Sequence, residues 1–151
     1  MRTQPSLIRN GQRGQALIET AVTLPIVLVV CVSIFEFGRA LQVWQQLTTA
    51  AREGARVAVL PGATTDGVKD RVLRQMEAEG LPNRNANQIT VVTDAEMTTS
   101  GNPVSASQIT IAYPYSFMVL NPVVQLIAPG SDVGTPITMT ASALMRNESP
   151  N

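Results

Sequence analysis

One carboxylate at the start of an apolar run is the residue of this sequence best placed to do chemistry. Glu19 lies between a segment that carries Arg2, Arg9 and Arg13 and an uncharged run from Thr20 to Phe35. A charged side chain at the centre of a membrane helix costs about 2.5–3.5 kcal/mol, and less near the interface, so Glu19 indicates a functional role. The chemistry that this position favours is ion pairing inside a membrane.

Proteolysis would create a partner for this carboxylate. Cleavage of the Gly14–Gln15 bond at the cytoplasmic face would place the new α-amino group of Gln15 one helical turn before Glu19. In a bundle of such helices, Glu19 of one subunit would neutralise the amine of its neighbour and fix the axial register, as a buried polar residue does in a coiled coil. The sequence therefore predicts Gly14 and Gln15 as a cleavage site and Glu19 as an assembly residue.

The apolar run predicts one membrane-spanning helix. Thr20–Phe35 alone reaches about 24 Å, short of a hydrocarbon core of about 30 Å. Adding residues 16–18 and Phe37 closes the gap if Glu19 lies near an interface or its side chain extends towards it. The arginines on the N-terminal side predict a cytoplasmic N-terminus and an outward-facing C-terminal region. A secretory signal peptide is an open alternative, but the residues after Phe35 lack the small-residue exit that its cleavage needs.

Helical periodicity continues beyond the apolar run and predicts one helix from Gln15 to Leu60, ended by Pro61 and Gly62. Its second half is expected to bury one apolar stripe. The stripe consists of Phe37, Leu41, Trp44, Leu47, Ala51, Ala55 and Ala58. Glu36 and most of the other polar residues are expected on other faces.

Two features of this helix affect its packing. Pro25 removes a backbone donor and is expected to kink or loosen the helix. Ala50, Gly54 and Ala58 form a smooth strip that permits close approach of another helix, or of this protein's own sheet.

The remaining sequence predicts a small α+β domain. A second helix is expected over residues 66–79, followed by strands over residues 89–96, 108–113 and 137–143 that alternate like an antiparallel sheet with one wet face. Ser100–Pro103 predicts the turn between the first two strands. A short helix capped by Asn121 is expected at 121–127, within a long connection from Phe117 to Thr135 that either covers the domain's own core or binds a partner.

Composition excludes several classes of function. Histidine is absent and Cys31 is the one cysteine, so imidazole or thiolate metal clusters and serine–histidine or cysteine–histidine catalysis are excluded. No motif marks a carboxylate pair or a phosphate loop, so no enzyme activity and no cofactor are predicted. Loss of the leader arginines would leave 8 basic and 11 acidic residues, a net charge of −3, which argues against direct nucleic-acid binding.

Several segments resemble the TadE-like family, pseudopilins of the tight-adherence (Tad, Flp) pilus systems. The similar segments are Arg13–Glu19, Ile34–Leu41, Ala50–Arg56, Tyr113–Tyr115 and Ala143–Arg146. The resemblance implies a pilin-like fold and processing after Gly14 by an aspartyl prepilin peptidase. It also implies a role in assembling thin pili for adhesion and biofilm formation.

The sequence departs from the pattern of the major pilins at one position. Major pilins of these systems commonly place an aromatic residue directly after the glutamate, whereas Thr20 stands here. This residue favours a pseudopilin or minor pilin over the bulk fibre subunit. The expected partners are the prepilin peptidase, other pilin and pseudopilin subunits, the assembly platform and membrane lipid.

Together these observations predict a single-pass protein of the inner membrane. A cytoplasmic leader (1–14) would precede a transmembrane and amphipathic helix (15–60) and an extracytoplasmic α+β domain (61–151). Two alternatives stay open: an uncleaved membrane-anchored protein whose domain binds an extracytoplasmic ligand, and a secreted protein released by signal peptidase.

Overall fold

A single long helix organises the structure. The computed structural model describes residues 9–99, 102–127, 129–132 and 134–147, and its first helix, α1, spans Arg9–Ala58. Pro25 lies inside α1 and does not end it. At 1.5 Å per residue, these 50 residues extend about 75 Å. The predicted helix is confirmed, and it ends two residues before Leu60.

The apolar part of α1 matches the requirements of a membrane span. Within the described residues, one helix is long and apolar enough to cross a membrane: the part of α1 from Gly14 to Ala58. Its most apolar window of 18 residues has a mean hydropathy of 2.4 and is 0% buried by the rest of the chain. The chain therefore combines a candidate N-terminal membrane anchor with a folded C-terminal region.

A second helix, α2, spans Thr65–Ala78 and packs against the C-terminal part of α1. Its N-cap is Thr64, whose hydroxyl accepts a hydrogen bond from the Gly67 amide. Val68, Val72 and Met76, spaced four residues apart, are its buried face.

Three antiparallel strands follow in the order β1-β2-β3. β1 spans Ile89–Thr99, β2 spans Asn102–Tyr115 and β3 spans Ile137–Arg146, each longer than predicted. Of the predicted turn at 100–103, Ser100 and Gly101 lie outside the described residues, and Asn102 and Pro103 belong to β2.

A third helix, α3, spans Leu120–Ile127 in the connection between β2 and β3. It begins one residue before Asn121, so this residue lies in the first turn and is not the cap that the sequence predicted. α3 contacts α1, so this connection packs on the long helix.

The core lies where the C-terminal half of α1 crosses one face of the sheet, with α2 beside it. Its largest fully buried hydrophobic side chains are Leu47, Val68, Val72, Met76, Leu81, Ile109 and Ile111. The expected apolar stripe of α1 is correct only from Leu47 onwards. Phe37, Leu41 and Trp44 are 61%, 60% and 48% exposed.

The position of α2 explains where the buried stripe of α1 ends. The amide Nε2 of Gln46 donates to the carbonyl of Glu79, just beyond the end of α2. N-terminal to this point α2 no longer covers α1, so side chains that continue the same stripe are left exposed.

The small-residue strip of α1 lies inside the protein's own core. Ala50 and Ala58 are buried, and so is Gly54. A methyl group placed on Gly54 would overlap Cγ2 of Val72 and would lie 3.4 Å from Cγ2 of Ile109. The strip thus allows α1 to approach both α2 and the sheet of the same chain.

Candidate functional site

The predicted assembly residue lies on the exposed N-terminal half of α1. Glu19 is exposed and lines a shallow groove with Ala16, Thr20, Thr23, Leu24 and Val27. The hydroxyl of Thr20 donates to the carbonyl of Ala16 at 2.9 Å. From Gly14 onwards, no side chain that the structure describes forms a hydrogen bond or ion pair with the Glu19 carboxylate.

The predicted cleavage site lies on the same helix. Gly14 and Gln15 are both exposed, and space for 4 Å around a Cβ at Gly14 is empty. Gln15 and Glu19 are four positions apart on the helix, an axial rise of about 6 Å. Side chains four apart lie on one face of a helix, so an amine at Gln15 and the carboxylate of Glu19 would face the same neighbour.

A second carboxylate, Glu36, is buried at the other end of the apolar run. Its side chain is 1% exposed, although the sequence placed it on a polar face. Its Oε1 accepts hydrogen bonds from the amides of Val119 at 2.7 Å and Met118 at 3.1 Å. Glu36 therefore attaches the start of α3 to α1 across more than 80 residues of sequence.

Arg39 joins the same cluster one helical turn later. Its Nη2 donates to the carbonyl of Ser116 at 2.7 Å and lies 3.7 Å from Oε2 of Glu36. The guanidinium also lies over the ring of Tyr115, 5.0 Å from the ring centroid, a favourable cation–π geometry. We call Glu36, Arg39, Tyr115, Met118 and Val119 the Glu36 cluster.

Tyr115 completes this cluster from the end of β2. Its hydroxyl donates to the backbone carbonyl of Glu36 at 3.5 Å, and burial raises the pKa of this phenol. Its ring meets that of Phe117 edge-on, with centroids 5.3 Å apart. The cluster thus ties the end of β2 and the following loop to one point on α1.

A third charged group lies at the domain end of α1. The Glu53 carboxylate accepts hydrogen bonds from Arg56 at 2.8 Å and from Arg71 at 2.7 Å. These two guanidinium groups lower the pKa of Glu53 to about 2. This cluster connects α1 to α2 and is structural in character.

The described residues offer no metal site. They contain no group of three or more His, Cys, Asp or Glu side chains that could hold an ion. Cys31 is exposed on the apolar part of α1.

Comparison with known protein families gives a match in the N-terminal part of the chain. Residues 14–56 match the family model described as TadE-like protein. This segment is TadE-like. The resemblance seen in the sequence is confirmed over these residues, and the TadE-like segment includes Gly14, Glu19 and Glu36. No curated protein and no solved structure matches the chain significantly.

The TadE-like segment coincides with the long helix. It starts at the residue before the predicted cleavage bond and ends inside the domain core at Arg56. A TadE-like segment on a single apolar helix indicates a protein associated with the Tad pilus.

Proposed function

We propose that this chain is a pseudopilin or minor pilin that takes part in assembling a Tad-type adhesion pilus. The observation that carries the proposal is the TadE-like match beginning at Gly14, with an exposed carboxylate at Glu19 where the apolar helix begins. In this function a prepilin peptidase removes the arginine-bearing leader, and the mature chain starts at Gln15. In either role, the mature chain binds other pilin-like helices and the assembly platform in the inner membrane.

Glu19 supplies the register of that association. Cleavage gives Gln15 a positive α-amino group, and the exposed Glu19 carboxylate of an adjacent subunit neutralises it. Each charge would be costly alone in hydrocarbon, so the helices associate most favourably where the two charges meet. Apolar contacts between the same helices are less selective, since sliding them exchanges one aliphatic contact for another.

The fold separates the membrane part from the domain. Arginines of the leader hold the N-terminus in the cytoplasm, and the domain formed by α2, α3 and the sheet lies on the extracytoplasmic side. Ala50, Gly54 and Ala58 are occupied by contacts within the chain, so the free surface for other subunits lies on the N-terminal part of α1. Pro25, inside this free part, is expected to make the subunit's packing differ from that of a straight helix.

Thr20 and the size of the domain favour the role of an accessory subunit and not that of the main fibre subunit. The residue after Glu19 is not aromatic, and its hydroxyl bonds back to the carbonyl one turn earlier. Strands of 10–14 residues and helix α2 give this subunit an outer domain that a very small fibre subunit would not have.

The test replaces Glu19 in the full chain within its own pilus system. Glu19→Gln keeps the side-chain size and removes the charge, and Glu19→Leu removes the polar group; Thr23→Val, one turn later, is the matched control. We expect both Glu19 variants to reach the membrane at normal levels. Cross-linking to neighbouring subunits and the number of pili should fall at least about tenfold, as expected when an interaction worth about 1.4 kcal/mol is lost.

The control variant Thr23→Val should assemble normally. Wild-type piliation and cross-linking in both Glu19 variants would contradict the proposed role of this carboxylate.

A further inference from the structure

The connection after β2 lies beside α1 at the point where this helix leaves its apolar run. We define the flap as residues 116–127, which comprise a loop and helix α3. The flap is fixed there by the amides of Met118 and Val119, which donate to the Glu36 carboxylate, and by the carbonyl of Ser116, which accepts from Arg39.

These contacts determine the depth of the flap relative to a bilayer. Glu36 directly follows Phe35, the last residue of the apolar run. From Ala16 to Phe35 the helix covers about 30 Å, the thickness of a hydrocarbon core. If α1 spans the membrane, Met118 and Val119 therefore lie at the outer boundary of the hydrocarbon.

The flap has the composition of a segment that contacts this boundary. No Asp, Glu, Lys or Arg occurs between Ser116 and Ser131. Met118 is 66% exposed, although it is held by its backbone to a buried carboxylate. An apolar side chain presented to solvent beside a membrane helix is better placed in lipid than in water.

The neighbouring surface of α1 is also apolar and exposed. Ile34, Phe35 and Phe37 are 68%, 65% and 61% exposed at the same level of the helix. Aromatic rings are enriched at membrane–water interfaces, and Arg39 beyond them is suited to the headgroup region. Exposed apolar side chains are therefore present at this depth both on α1 and on the flap.

We propose that the flap is a second membrane contact, with Met118 inserted among the lipids of the outer leaflet. This contact goes beyond a role in pilus assembly and requires only that α1 spans the bilayer. A single transmembrane helix can tilt in the bilayer together with the domain that is packed on it. A second contact on one side of that helix restricts the tilt and holds the domain at one inclination to the membrane surface.

The test measures lipid contact at single cysteines in the full chain. Cys31→Ser provides the background, and Met118→Cys is labelled with an environment-sensitive fluorophore. The protein is reconstituted into phosphatidylcholine–phosphatidylglycerol vesicles whose lipids carry a spin label near the headgroup end of the acyl chain. Phe37→Cys is the benchmark within α1.

Val92→Cys is the matched control away from the membrane. Val92 is 43% exposed and pairs with Gln108, whose neighbour Ser107 lies 3.5 Å from the Ala58 carbonyl. Along α1, Ala58 is about 33 Å beyond Glu36, outside the reach of lipid.

We expect the Met118 label to be quenched about as strongly as the Phe37 label, and several-fold more than the Val92 label. Adding Glu36→Gln should reduce quenching at Met118 and leave it unchanged at Phe37. Equal, weak quenching at Met118 and Val92 would overturn the proposal. The proposal would also be overturned if the Met118 label were shielded from aqueous iodide only at high protein-to-lipid ratios. That result would show that a second copy of the chain, and not lipid, covers Met118.

Failure of this inference is separable from failure of the pilin function. A Phe37 label that is quenched beside an unquenched Met118 label leaves the membrane span and the assembly role of Glu19 intact. Loss of quenching at Phe37 would overturn the span and the flap contact together.

Discussion

Replacing Glu36 by alanine should detach the flap and leave the rest of the domain folded. The carboxylate accepts amide hydrogens from Met118 and Val119, and hydrogen bonds to a charged group contribute about 1.5–3 kcal/mol each. Even the lower value for both bonds gives about 3 kcal/mol, or about a hundredfold change in an opening equilibrium. The hydrogen bonds and ion pair that the structure describes for this carboxylate involve Met118, Val119 and Arg39 and not the core around Ile109 and Leu47, so the stability of the core should change little.

Hydrogen exchange of the full chain in detergent measures this opening residue by residue. In Glu36→Ala, the amides of Met118 and Val119 should exchange about a hundredfold faster than in the wild type. Amides of β2 near Ile109 should keep their protection. Glu96→Ala, which removes an exposed carboxylate of β1, is the control and should change neither region. Unchanged exchange at Met118 and Val119 would show that the Glu36 carboxylate does not hold the flap on α1.

Three further predictions concern packing and charge. Gly54→Ala should lower the free energy of unfolding by up to about 2.5 kcal/mol, because overpacking costs about 1–3 kcal/mol and the gain in helix propensity offsets only about 0.5–1 kcal/mol of that cost. Gly38→Ala has open space and should be neutral or stabilising in the same urea titration; equal effects would contradict the packing of α1 on α2. Gly134→Ala should increase protease cleavage of the flap more than Gly130→Ala does. Both glycines have a positive φ, but only a Cβ at Gly134 would contact the backbone of α3, at 2.9 Å from Asn121. Identical cleavage of the two variants would contradict that contact. The pKa of Glu53 is lowered from 4.5 to about 2, so its stabilising contribution is present above pH 4.5 and is lost as the pH falls towards 2. Wild-type protein should therefore lose more stability between about pH 6 and about pH 3 than Glu53→Gln does, and parallel losses would show that these ion pairs contribute nothing.

Local patterns were sufficient to predict most of the elements. α1, α2 and the three strands follow from periodicities of 3.6 and 2, which depend only on which face of each element is buried. The candidate cleavage and assembly residues could also be identified from the sequence, because they depend only on local spacing. Gly14, Gln15 and Glu19 lie within two turns of one helix, so their spacing is visible without a fold.

Glu36 shows what sequence reasoning missed. Spacing along α1 places this carboxylate among polar residues, and its burial depends on amides that lie 82 and 83 positions away. No periodicity carries information about contacts of that separation. The available signal was a carboxylate directly after the apolar run, together with the Tyr113–Tyr115 segment that ends β2.

The exposed stripe on α1 has a similar explanation. Phe37, Leu41 and Trp44 continue the spacing of Leu47, but α2 covers the helix only from about Gln46 onwards. Sequence spacing defines a face of a helix and does not define how far its covering element extends. Phe37 lies two residues beyond the apolar run, and lipid is expected to cover its side chain.

The N-terminal mass of the protein recovered from membranes shows whether the leader is removed. The proposed pilin function requires a mature chain that begins at Gln15, with the new amine one turn from Glu19. A chain that retains its leader in membranes that still produce pili would rule out this processing and favour an uncleaved anchored binding protein. A chain that lacks the whole apolar run would instead identify a secreted protein.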